Sequence, residues 1–338
     1  MATINKILFV CLLSIILTCS RSVAQNLNVD SKILSTAQVE NAIKKGIVTV
    51  IDARNISEED YLDEHLPGAI RLNNHMLTRV EGNVPGMLLP DRELEKVIAN
   101  AGLSEDSNVV VYSAGETPKD WVDAARVIAI LNYSGIKNTF YMDGGLAKWD
   151  AEERPLEEGA VRVNRTNFKI HRLEDQPIFC DLIKVKEILD GKESAYFIDA
   201  RNLDYFKGKD ADPRLVRHGH IPGAILIPVS LFAKNEGDYY TLKPMSEIKE
   251  ILRSHGLSLD DGRPWISYCN TGHLASGIWF VANYYLRKGS VWIYDGSMAQ
   301  YARTKLAVLK DSAWSGHQRL AKCNIELHDK KIGVLSRY

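Results

Sequence analysis

Short apolar runs alternate with amphipathic stretches along most of this chain. Val48–Ile51, Val109–Tyr112 and Thr139–Met142 have strand length and are rich in β-branched and aromatic residues. Asp91–Ala101 and Lys119–Leu131 instead repeat apolar residues at helical spacing. Strand and helix in alternation predict an α/β fold with a mostly parallel sheet flanked by helices. Leu66-Pro67-Gly68-Ala69 and Ile221-Pro222-Gly223-Ala224 read as type II turns, each ahead of a short strand.

The pattern occurs twice. Val50-Ile51-Asp52-Ala53-Arg54-Asn55 returns as Phe197-Ile198-Asp199-Ala200-Arg201-Asn202. His65-Leu66-Pro67-Gly68-Ala69-Ile70 returns as His220-Ile221-Pro222-Gly223-Ala224-Ile225. Val111-Tyr112-Ser113 answers Ser267-Tyr268-Cys269, and Tyr141-Met142-Asp143-Gly144-Gly145 answers Ile293-Tyr294-Asp295-Gly296-Ser297. The order is the same and the offsets stay between 147 and 156 residues, so the chain reads as two copies of one domain. The copies are expected at residues 25–155 and 178–304. The polar stretch from Glu153 to Asp175 holds the linker, placed at 156–177, and residues 305–338 form a tail outside the repeat.

The N-terminus departs from this pattern. Lys6 precedes a 13-residue apolar run, Ile7–Cys19, and small residues before Gln25 suit a cleavage site. Residues 1–24 therefore read as a secretory signal, and a periplasmic or secreted protein is expected. The run is short against the roughly 20 residues of a membrane span. A net charge of −1 and the lack of a basic run give no sign of nucleic-acid binding. Cys180, Cys269 and Cys323 remain after cleavage, an odd number that leaves at least one thiol unpaired within the chain. In an exported protein a Cys180–Cys323 disulfide would leave Cys269 free.

Cys269 carries the candidate chemistry. An apolar strand ends at Tyr268, a loop Cys269-Asn270-Thr271-Gly272-His273-Leu274 follows, and a helix is expected from about Ala275. A cysteine at the carboxyl end of a parallel strand, facing a helix N-terminus, lies in the usual functional crevice of such sheets. Loop N–H groups and the helix dipole favour negative charge there, so a thiolate or persulfide anion would be held.

Tandem Asp-Ala-Arg and His-x-Pro-Gly-Ala segments, with a cysteine loop only in the second copy, resemble the rhodanese family of sulfurtransferases. The resemblance runs from about residue 34 to 303, and the six-residue loop with its cysteine first and glycine fourth matches the family's loop. It implies two tandem rhodanese-like domains and a sulfur relay through a Cys269 persulfide, with ping-pong kinetics. It further implies that the loop from Asn270 through Thr271, Gly272, His273, Leu274 and Ala275 surrounds the sulfur. Arg201 would bind an anionic donor, with an ion pair to a neighbouring carboxylate as the alternative. The first copy holds Ser113, Glu116 and Pro118 in its loop and resembles the family's inactive domain. The implied partners are a small anionic sulfur donor and a cyanide or thiol acceptor, including a protein thiol. A monomer without cofactor or metal is expected; His218-Gly219-His220 lacks a third ligand nearby.

Relatives that use thiosulfate carry charged residues after the cysteine, and relatives that use 3-mercaptopyruvate carry small neutral ones. Asn270, Thr271 and His273 fit neither set fully. A protonated His273 and the export signal favour thiosulfate, with 3-mercaptopyruvate and a non-enzymatic sulfur relay as alternatives. Phosphatase chemistry of the Cys-x5-Arg type is disfavoured, because Ala275 stands where the arginine would be.

Overall fold

The computed structural model describes residues 31–172 and 177–310. The signal segment and Cys323, and with it the Cys180–Cys323 pairing, lie outside the described residues. Among those described, no helix is long and apolar enough to cross a membrane.

The first half builds β1 (Ile33–Leu34), β2 (Thr49–Asp52), β3 (Ile70–Arg71), β4 (Thr78–Glu81), β5 (Val84–Leu88), β6 (Val109–Tyr112) and β7 (Thr139–Met142). The second half builds β8 (Phe179–Cys180), β9 (Tyr196–Asp199), β10 (Ile225–Leu226), β11 (Ala233–Asn235), β12 (Tyr240–Leu242), β13 (Trp265–Tyr268) and β14 (Val291–Tyr294). One five-stranded sheet runs β1-β7-β6-β2-β3 and the other β8-β14-β13-β9-β10. Every neighbouring pair in both sheets is parallel, so helices cover both faces and the central strands are buried. The two orders match strand for strand, as a duplicated domain requires. Each domain adds an antiparallel hairpin, β4–β5 or β11–β12.

The type II turns form as read. The Ala69 N–H donates to the Leu66 carbonyl and the Ala224 N–H to the Ile221 carbonyl. Gly68 and Gly223 sit at φ of +67° and +78°, where a side chain would be strained. The helix expected from Lys119 begins instead at Trp121 and runs to Tyr133. Asp120 delays it: its Oδ2 accepts the N–H groups of Glu116 and Thr117, a local alternative to the helical bonds.

The segments after each domain behave alike. His65 bridges to Glu157 and His220 to Leu309, each pair exchanging backbone hydrogen bonds of 2.9 Å. Residues 305–310 thus pack against the second domain as the segment around Glu157 packs against the first. Hydrophobic pattern hid this because the bond is between main chains and a different side chain sits at each position.

The domains share a continuous apolar core. Helices Trp121–Tyr133 and Ala275–Phe280 pack together, and a Cβ at Gly277 would lie 2.8 Å from the Trp121 ring. Each hairpin reaches the other domain. The Leu88 N–H donates to Asp295 Oδ2, and the Leu242 N–H to Asp143 Oδ1, both at 2.9 Å. Asp295 has a buried arginine partner, Arg126 (2.9 Å). Asp143 has no such ion pair among the described residues, and burial pushes its carboxyl up to about 6 against the pull of the Leu242 N–H.

A raised carboxyl means that the folded protein holds a proton which the unfolded chain loses near pH 4. Stability from this group is therefore lost as pH climbs from about 4 to about 6, and the full cost stands above that window. Asp143→Asn keeps an acceptor for Leu242 while removing the charge. It is expected to stabilise the protein by about 2 kcal/mol more at about pH 7.5 than at about pH 4.5 in urea unfolding. An equal gain at both pH values would show that burial of charge is not the cause.

Candidate functional site

Cys269 sits just past the end of β13, the strand between β9 and β14, and is 2% exposed. Its N–H donates to Ser297 Oγ at 3.1 Å, and that hydroxyl donates to the Tyr294 carbonyl at 2.8 Å. The carbonyls of Cys269 and Asn270 accept from the N–H groups of Met298 and Ala299. Those of Gly272 and His273 accept from the Ser276 hydroxyl and N–H. With these carbonyls bonded outward, the N–H groups from Asn270 to Leu274 carry no protein hydrogen bond among the described residues. Such a loop is a cradle for an anion. A Cβ at Gly272 would lie 2.9 Å from the Asp295 carbonyl and 3.4 Å from Arg126 Nη1, so only glycine fits. Leu274 caps the helix and Ala275, fully buried, opens it.

The Ser113 loop differs in its electrostatics. Its N–H groups at Glu116 and Thr117 are bound by the carboxylate of Asp120, which the Thr117 hydroxyl also contacts. An internal anion therefore occupies donors that a bound anion would need.

Two Asp-x-Arg forks face the cysteine loop. Arg201 Nε and Nη2 bind Asp199 at 2.8 and 2.6 Å, Nη2 also reaches the Gly219 carbonyl, and Nη1 donates to Asn270 Oδ1 at 2.9 Å. Burial opposes the Arg201 charge, but Asp199 outweighs it and holds the guanidinium above its ordinary range. At 1% exposure Arg201 presents no open edge to a donor. The ion pair read as the alternative for Arg201 forms with Asp199.

The second fork was not read from the sequence. Arg214 Nε and Nη2 bind Asp212, whose carboxyl these hydrogen bonds hold below the usual range. The Arg214 side chain is 51% exposed, and its hydrogen bonds to Asp212, with a smaller contribution from Cys269, hold its guanidinium above the ordinary range. Asp212-Pro213-Arg214 has the spacing of Asp199-Ala200-Arg201, and that was the available signal.

The first domain closes the site from the other side. Arg126, fully buried, donates to Asp295 Oδ1, to the Gly86 carbonyl at 3.2 Å and to Asn74 Oδ1, and lies 3.5 Å from the Gly272 carbonyl. A Cβ at Gly86 would meet Thr271 at 2.7 Å, so hairpin β4–β5 abuts the loop. Asp123 Oδ1 lies 2.9 Å from His273 Nε2 and also accepts from Asn55.

Other residues of the two domains serve the fold. His65 and His220 stack on Tyr61 and Phe206 and bond backbone carbonyls. Trp265 and Trp279 are core, but Trp292 is only partly buried, under Lys184. Burial, with Asp181 and Asp295, pushes the Cys180 thiol up and keeps it protonated. A groove of about 710 Å³ lined by Tyr133, Arg172 and Trp279 holds none of the loop residues.

Comparison with known proteins agrees with this architecture. The rhodanese-like domain model matches residues 35–152 and again 181–304. A Synechococcus elongatus protein with the provisional name thiosulfate sulfurtransferase is 32% identical over 254 residues, covering 73% of this chain and 76% of that protein. The 3-mercaptopyruvate sulfurtransferase of Escherichia coli is 30% identical over 259 residues, covering 75% and 86%. The crystal structure of SseA from Escherichia coli, a 3-mercaptopyruvate sulfotransferase, superposes with a TM-score of 0.68 at 25% identity, covering 79% of this chain and 98% of that one. The chain belongs to the rhodanese family, carries two rhodanese-like domains in tandem, and is a sulfurtransferase.

Proposed function

We propose that Cys269 is the nucleophile and that its donor is a small thiol-bearing monocarboxylate of the 3-mercaptopyruvate kind. The Cys269 thiolate attacks the donor sulfur, the carbon–sulfur bond breaks, and its electron pair leaves as the enolate of pyruvate, which takes a proton. A cyanide or thiolate acceptor then removes the outer sulfur and restores the thiolate. The loop N–H groups hold the persulfide anion.

The single observation that carries the donor choice is the distribution of positive charge. Asn270 and Thr271 are neutral, Arg201 is enclosed, and His273 faces Asp123. The half-exposed guanidinium of Arg214 lies beside the loop, which suits a carboxylate. Thiosulfate, a dianion, is the second reading. Residues 1–24, read as an export signal, and the name of the Synechococcus relative favour it.

Steady-state cyanide assays with each donor decide between them. The expected result is pyruvate release with kcat/KM at least about tenfold above that of sulfite release from thiosulfate. The reverse ratio selects thiosulfate, and persulfide loading without turnover selects a relay.

A further inference from the structure

We propose that Asn270 is a positioning residue, whose carboxamide ties Asp212 to the cysteine loop and so aims Arg214 at the donor. This rests on the reading of Cys269 as the sulfur carrier and names the residue that sets donor binding there.

Asn270 follows Cys269 directly and is 7% exposed. Its amide lies between opposite charges: Oδ1 accepts from Arg201 Nη1 at 2.9 Å, and Nδ2 donates to Asp212 Oδ2 at 2.6 Å. Only this orientation works, since the flipped amide would set NH2 against a guanidinium and oxygen against a carboxylate. Beyond each partner lies an ion pair, so Asp199, Arg201, Asn270, Asp212 and Arg214 form one chain of charge-assisted bonds.

The segment that carries Asp212 has no helix or strand of its own between Phe206 and Ile225. Asp212 is 3% exposed and binds its own segment through the Arg214 N–H and side chain. Asn270 joins that carboxylate to the residue after the sulfur carrier, while Arg303 holds the Arg214 carbonyl from the other side at 3.1 Å. Asp212 takes Nε and Nη2 of Arg214, and Nη1 has no hydrogen bond among the described residues. The distance between that free edge and the sulfur is therefore set through one amide. A neutral residue here lends the loop the charge of its neighbours without adding its own.

The test compares wild type, Asn270→Ala, Arg214→Ala and the double variant, with 3-mercaptopyruvate and with thiosulfate as donors and cyanide as acceptor. Asn270→Ala leaves both ion pairs intact, so folding is preserved. It is expected to raise the donor KM about tenfold with kcat within about twofold. In the Arg214→Ala background it should raise KM no further, because the two act as a unit. Asn270→Asp, which faces Asp212 with a second carboxylate, is expected to be worse than Asn270→Ala. A loss confined to kcat, or effects that multiply in the double variant, would overturn the proposal. Sulfur uptake at Cys269, read by intact mass in every variant, keeps the two readings apart: a wild type that takes up no sulfur removes the nucleophile itself.

Discussion

Cys269→Ser is expected to abolish turnover, with kcat/KM down by at least about three orders of magnitude, and to abolish sulfur loading. A serine oxygen cannot carry a sulfane sulfur between two half-reactions. Wild-type protein exposed to donor alone should gain about 32 Da, one sulfur atom, and the variant should gain nothing. The substitution changes one atom at a site 2% exposed, so unfolding should move little. Intact mass spectrometry is the decisive measurement. Uptake that survives the substitution would remove Cys269 from the mechanism, and Cys180, buried and protonated, would then have to be tested by the same route.

Arg126→Ala is expected to have the largest effect on stability, a loss of about 3–5 kcal/mol in urea unfolding. The mechanism is specific. Arg126 is fully buried and Asp295 is 11% exposed, so removing the cation strands a carboxylate inside the domain interface. The Gly86 carbonyl and Asn74 lose their donor as well. Asp295→Asn added to Arg126→Ala should recover part of the loss, since the uncompensated charge is gone. A loss below about 1 kcal/mol for Arg126→Ala would mean that water or a neighbour satisfies Asp295, and the arginine would not be a brace.

Much of the fold was legible because burial on both faces leaves a plain mark. The runs at Val109–Tyr112 and Thr139–Met142 became strands with the bounds read from sequence. The Pro-Gly turns were legible because their geometry demands those residues. Arg126 also left a mark, a lone charge in the apolar stretch Ala124–Leu131, but only the packed domains show what it meets. Arg201 was placed at the site, and its ion pair with Asp199 is the alternative that was read for it. Arg214 went unread since its segment has neither helical nor strand period. The late start of the helix at Trp121 depends on one carboxylate's choice of hydrogen bonds, which no periodicity records.

The reciprocal hairpins have an evolutionary consequence. Leu88 on Asp295 and Leu242 on Asp143 are the two halves of an isologous contact, of the kind a two-fold homodimer makes. Here both halves lie on one polypeptide, so association is intramolecular and independent of dilution. In a homodimer every mutation appears on both sides of the axis. Fusion lifts that restriction. One half could keep a thiol while the other filled its cradle with Asp120, and one interface aspartate could acquire Arg126 while its twin went without. The protein is in effect a dimer that has been free to become lopsided.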